Sequence, residues 1–293
     1  MKRIILAFAV LFAAVLLGAA GKANIDFTDT DITGTVKINT ITEITDRKIK
    51  VSIEKTENKY IYDLKGDKSA EVYPLQWGNG EYTIRVLIQS PDSSSTKYAV
   101  ALSVKYMLEL EDENAPFLNP SQLVNYSSDT YNNDNKNNKN KTVEIADELE
   151  TIEEIYMFVI QALEYDAEKA ESVKSGYLPD IDEIINSGKG ICFDYAAVLA
   201  AMLRSQGIPA KLVMGYVKIP GSDTPVYHAW NEIYLGETDK TGSKGGWIVL
   251  NGMKFEAGRF ERVDATFDSA NKSSKAVMRH IGDGSNYAKA HEF

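Results

Sequence analysis

The sequence predicts an α+β chain in which an all-β, sandwich-like domain precedes a mixed domain. Three observations predict it. From about residue 33 to 105, apolar and polar side chains alternate, the period of half-buried strands. From about residue 146 the apolar residues recur at helical spacing instead. After Pro209 the alternation returns, so helices come first in this half and an antiparallel sheet follows.

The elements follow in chain order. Residues 1–23 open on Lys2 and Arg3, run apolar from Ile4 to Leu17 and end in small residues. That is the layout of a secretory signal, with cleavage after Ala20 or Ala23. The apolar run is short for a spanning helix of about 20 residues. A secreted or cell-surface protein without stable membrane insertion after cleavage is therefore expected; an uncleaved N-terminal anchor is the alternative. Residues 24–125 form the expected β domain. Ile49, Val51 and Ile53 share one face, as do Tyr82, Ile84, Val86 and Ile88, and then Tyr98, Val100, Leu102 and Val104. Turn signals such as "WGNGE" and "SPDSSS" separate these runs, the pattern of an antiparallel sandwich or barrel. This half holds no histidine and no cysteine, which points to a structural or binding role.

Residues 126–142 are asparagine-rich and aperiodic, the composition of a loop or linker. Residues 143–293 are the expected second domain. Its first helix carries Leu149, Ile152, Ile155, Tyr156, Val159, Ile160 and Leu163 at helical spacing. A second runs from Cys192 to Gln206, stopped by Gly207 and Pro209. "AKLVMGYVKI", "VYHAWNEIYL", "GWIVL" and "RFERVDATF" then read as successive strands.

Composition excludes some functions. The net charge of −10 argues against nucleic acid, whose phosphates call for clustered positive charge. No acidic run has the glycine and closing glutamate of an EF-hand loop, so no metal and no cofactor is expected.

Cys192 is the only cysteine, so it forms no internal disulfide. It falls on the first turn of its helix, after Gly188 and Gly190. Unpaired backbone N–H groups there favour an anion, and the thiolate is the reactive form of cysteine. The glycines would let a substrate approach the backbone closely. Cys192 also lies on a stripe with Tyr195, Ala196, Leu199 and Leu203, so a core position is equally open. A thiolate nucleophile pairs with a base, and His228 lies in the next apolar strand but one. A histidine base needs an orienting partner, and Asp264 ends a later strand. Alone, Asp264 reads as a turn residue with Thr266. Asp194 points about 200° around the helix from Cys192, poorly placed for that task. His280 and His291 read as part of a C-terminal tail without a role.

In "GKGICFDYAAVLAAMLRSQGIPAKLVMGY", "HAWNEIYL" and "VDATF" the chain resembles the bacterial transglutaminase-like proteins of the papain-type cysteine fold, over roughly residues 146–268. The first half resembles, more loosely, the sandwich-like (Ig-like) domain that often precedes them. Position by position, the resemblance implies Cys192 as nucleophile, His228 as base and Asp264 as its orienter. It implies an amide-directed enzyme working through a thioester, resolved by water or by an amine. The partner would be a protein or peptide substrate, a cell-wall peptide among the options. Against the family pattern, a long insertion with "GETDKTGSKGG" separates histidine from aspartate, and Phe260 stands where tryptophan is common. The backbone N–H of Cys192 is a natural oxyanion donor; Tyr156, Gln161 and Trp247 are side-chain candidates. The rival expectation is a non-catalytic surface protein that binds a partner through its β domain.

Overall fold

A computed structural model describes residues 22–92, 96–127, 140–219, 222, 224–236, 247–250, 253–256 and 258–293. Residues 1–21 of the expected signal segment, most of the asparagine-rich stretch and nearly all of "GETDKTGSKGG" lie outside the described residues. Among the described residues, no helix is long and apolar enough to cross a membrane. The chain divides into two compact units, up to Pro116 and from Phe117 onward.

In the first unit, strands β1 (Ala23–Asp26), β2 (Thr35–Thr40) and β5 (Glu71–Pro74) form one antiparallel sheet in the order β1-β2-β5. A one-turn helix, α1 (Thr30–Thr33), links the first two. Strands β3 (Ile49–Lys55), β4 (Asn58–Leu64), β6 (Gly80–Gln89) and β7 (Tyr98–Leu108) form the other, in the order β4-β3-β6-β7. The alternating residues of β3 and β6 are all buried, as period-two patterning requires. Tyr62 of one sheet meets Tyr73 of the other edge-on, ring centroids 5.0 Å apart, and the Tyr82 hydroxyl donates to the Leu75 carbonyl at 3.0 Å. β7 departs from the expected pattern. It is an edge strand with a register shift opposite Val86/Leu87, and Val100 is exposed although its pattern matches the buried strands.

The second unit begins with helices α2 (Lys141–Asp147) and α3 (Ile152–Ala162). α3 starts at a reciprocal cap: the Thr151 hydroxyl accepts from the Glu154 N–H, and Glu154 accepts from the Thr151 N–H at 3.0 Å. Short strands β8 (Glu164–Tyr165) and β9 (Lys189–Gly190) pair in parallel around α4 (Ala167–Ser172) and α5 (Ile181–Ser187). Helix α6 (Cys192–Ser205) follows, buried along nearly its whole length. Its far end is tied by Arg204, a buried cation whose Nε donates to the Ala210 carbonyl at 2.8 Å and Nη2 to that of Phe293 at 2.7 Å.

A four-stranded antiparallel sheet packs on α6. It contains β10 (Ala210–Val217), β11 (Val226–Tyr234), β14 (Phe260–Val263) and β15 (Tyr287–Glu292), in the order β14-β11-β10-β15. Two expectations change here. "GWIVL", as β12 (Trp247–Leu250), pairs with β13 (Met253–Glu256) in a separate hairpin. The fourth strand is supplied by the C-terminal segment, after helices α7 (Ala265–Ala270) and α8 (Lys275–Gly282). His280 and His291 therefore sit on α8 and β15 rather than on a tail. β15 reads as tail because "YAKAHE" has no run of large apolar residues; it is held by backbone pairing along β10.

Candidate active site

Three elements bring the candidate residues together. α6 starts at Cys192, which is half-buried. Its first turn is fixed by Asp194, whose Oδ2 accepts from the Ile191 N–H at 2.9 Å. Asp194 is fully buried and also takes the Lys169 ammonium at 2.6 Å and the Tyr177 hydroxyl at 2.8 Å. The glycines before Cys192 have local causes. Gly188 caps α5 in the left-handed conformation at φ 65°, and a Cβ on Gly190 would lie 2.8 Å from Asp194 Cβ. Close approach to a substrate is thus not what requires them.

β11 supplies His228, and alternation puts His228 and Trp230 on one face of the sheet with Ala229 and Asn231 on the other. Asn231 locks that other face to α6, its Nδ2 donating to the Ala196 carbonyl at 2.9 Å. β14 pairs Val263 with Asn231, so the following residue, Asp264, arrives level with Trp230 on the face of His228. Asp264 is fully buried and serves two purposes. Its Oδ1 caps α7 by accepting from the Phe267 N–H at 3.0 Å, while its Oδ2 lies 2.9 Å from His228 Nε2. With the carboxylate as acceptor, Nε2–H donates. The remaining ring nitrogen, Nδ1, is the one left for Cys192, which lies near enough to His228 to raise its proton affinity. Phe267 stacks on the imidazole, centroids 4.7 Å apart and planes 18° from parallel.

Burial alone would push the His228 imidazole below its ordinary 6.5. The charge of Asp264 and its hydrogen bond, with the Cys192 contact added, outweigh this and raise it to about 10. Folding therefore increases the proton affinity of this ring. The stability it contributes is fully present below about pH 6.5 and is lost as pH rises towards 10, on the order of a few kcal/mol. In urea titrations from pH 6 to 10, the unfolding midpoint is expected to fall, and the fall to be much smaller in His228→Gln.

The structure also locates the other candidates. The Tyr156 hydroxyl is buried and donates to Asp268 Oδ2 at 2.8 Å, so it is already committed and does not serve as an oxyanion donor. Gln161 is exposed on α3. The Trp247 side chain lies outside the described residues. Phe260 packs edge-on to Phe117 and Tyr234, with the Lys211 ammonium 4.3 Å from its ring centroid. Sequence reasoning missed Tyr287, whose hydroxyl donates to Asp264 Oδ2 at 2.9 Å. No local pattern marks it, because its partner lies in another strand. Around Cys192, Tyr165 and Tyr227 are both close enough to feel its charge, and both are about half exposed. Among the described residues, no group of three His, Cys, Asp or Glu side chains gathers to hold a metal.

Comparison with known proteins finds a family match within the second unit. A model of the transglutaminase-like superfamily matches residues 135–252, which include Cys192 and His228 and stop short of Asp264. Among solved structures, the chain is similar to a candidate cysteine protease from Cytophaga hutchinsonii. Identity there is 14%, over 88% of this chain and 75% of that one, at a TM-score of 0.39. It is also similar to red sea bream transglutaminase, at 12% identity over 80% of this chain and a TM-score of 0.24. The match spans 48% of that second protein. No curated protein matches the chain.

Proposed function

We infer, from the premise that residues 135–252 are a transglutaminase-like domain, that the chain is an exported cysteine enzyme acting on carboxamide or peptide bonds. The observation that carries this reading is the buried His228–Asp264 hydrogen bond beside Cys192, which lies near enough to His228 to raise its proton affinity. For attack, the Cys192 proton passes to His228, giving thiolate beside imidazolium, with Asp264 holding the ring. The sulfur attacks the carbonyl carbon, and the oxygen takes up negative charge. The backbone N–H of Cys192, in the first turn of α6 where no intrahelical acceptor exists, receives that charge. As the tetrahedral species collapses, the C–N bond breaks and His228 passes its proton to the departing amine. A thioester on Cys192 remains. Water or a second amine then attacks the thioester, His228 accepts its proton, and the thiolate leaves. Water gives hydrolysis or deamidation, an amine gives transamidation.

The test uses a glutamine-containing peptide, following ammonia release, peptide cleavage and incorporation of a fluorescent primary amine. Wild type is expected to show one of these, and Cys192→Ser to lose it by at least ~1,000-fold while retaining its thermal midpoint. Equal turnover in the two proteins would remove Cys192 from the mechanism.

A further inference from the structure

We propose that Tyr287 is a positioning residue for the candidate active site, holding Asp264 so that Oδ2 faces His228. The inference rests on the function proposed above, since it needs a thiolate–imidazolium pair to act on.

Tyr287 opens β15, yet its hydroxyl reaches Asp264 at the far end of β14. Two strands lie between them in the sheet, and Gly215 on β10 clears the way. Gly215 pairs with His228 on one side and Lys289 on the other. A Cβ there would sit 2.2 Å from the Ala288 carbonyl oxygen and 2.9 Å from the Trp230 ring. Any side chain would thus displace the indole and β15 together. With that space open, Trp230 lies against Val213 and Val217, and Tyr287 packs edge-on to Trp230 at 5.2 Å. The Arg262 guanidinium covers the other part of the phenol ring, 4.4 Å from its centroid. The hydroxyl is therefore aimed before any substrate arrives.

What it secures is the orientation of one carboxylate. Phe267 N–H holds Oδ1, and a carboxylate held at a single oxygen can swing about that bond. Tyr287 adds a second tether on the oxygen that faces Nε2, so the plane of Asp264 is fixed by two protein donors independent of His228. Burial and the neighbouring Asp264 hold the phenol well above its ordinary value, so it keeps its proton and always donates. The remaining function of Tyr287, filling space beside Trp230, belongs to its ring alone. Tyr287→Phe separates the two.

The experiment measures the rate of Cys192 alkylation by iodoacetamide from pH 4 to 9 in wild type, His228→Ala, Tyr287→Phe, Asp264→Asn and the Asp264→Asn/Tyr287→Phe double variant. Tyr287→Phe is expected to fold, with a thermal midpoint within a few degrees of wild type. Its labelling near pH 6 should fall roughly 10-fold, the acidic limb moving up by about one pH unit. In the Asp264→Asn background, removing the Tyr287 hydroxyl should change nothing further, because it acts through the carboxylate. Superimposed profiles for wild type and Tyr287→Phe would overturn the inference, as would an equal 10-fold loss in the Asp264→Asn background. If wild type labels rapidly and His228→Ala does not, the function proposed above stands whatever Tyr287 does. If wild type itself labels like an ordinary thiol, both fall.

Discussion

His228→Ala is expected to slow alkylation of Cys192 at pH 6 by about 100-fold or more, the low end of what a positioned acid–base group contributes. The thiolate is the reacting species, and near neutrality an isolated thiol is almost wholly protonated. In the mechanism proposed above, His228 supplies the nearby positive charge; its ring is held by Asp264 at 2.9 Å and covered by Phe267. Truncation leaves Cys192 only the partial charge of the α6 N-terminus, a much weaker influence. Asp264→Asn should retain part of the effect, because an amide oxygen still accepts from Nε2–H. The ratio of labelling rates at pH 6 and pH 9 separates this from a change in access: loss of the base alters the ratio, whereas burial of the sulfur lowers both rates together.

Asp194→Ala is expected to be the most costly single change around the site, at about 3 kcal/mol. One carboxylate takes three donors, Lys169, Tyr177 and the Ile191 N–H, and is fully buried. Removing it strands an ammonium and a backbone N–H in the interior. Lys169 keeps 28% of its side-chain exposure, which places the loss at the lower end of the range for a broken buried pair. Asp194→Asn keeps an acceptor for Ile191 and should cost roughly half as much. Urea denaturation of both variants measures this. Equal losses would trace the effect to shape rather than to charge. Labelling of Cys192 should fall in Asp194→Ala as well, since the turn that presents the sulfur is no longer held.

Much of this arrangement is legible in the sequence wherever local signals dominate. α6 is bounded by its own composition, with Gly207 and Pro209 ending it, and β10 and β11 declare themselves by apolar content. Rarity did the rest: one cysteine and three histidines leave few pairings to weigh. Helical geometry also kept Asp194 away from His228, and in the structure its side chain turns back to the Ile191 N–H. Long-range pairing is what stays hidden. β15 has a polar sequence because backbone hydrogen bonds along β10 hold it, and such bonds leave no mark on side-chain choice. Tyr287 finds Asp264 only once the strand order is known. The reason for Gly190 likewise requires knowing that Asp194 folds back over it.

The strand order carries a consequence in time. β10 lies between β11 and β15, and β15 is made after every other strand of that sheet. At roughly 5–20 residues per second, a ribosome delivers Cys192 several seconds before Tyr287. Pairing β10 with β15 also closes a long loop, a slow kind of contact to form. During that interval a growing chain carries its thiol without the sheet that assembles His228, Asp264 and Tyr287 around it. In the mechanism proposed above, chemical competence is therefore the last property acquired, and the cell's own amides meet an unfinished protein rather than an enzyme.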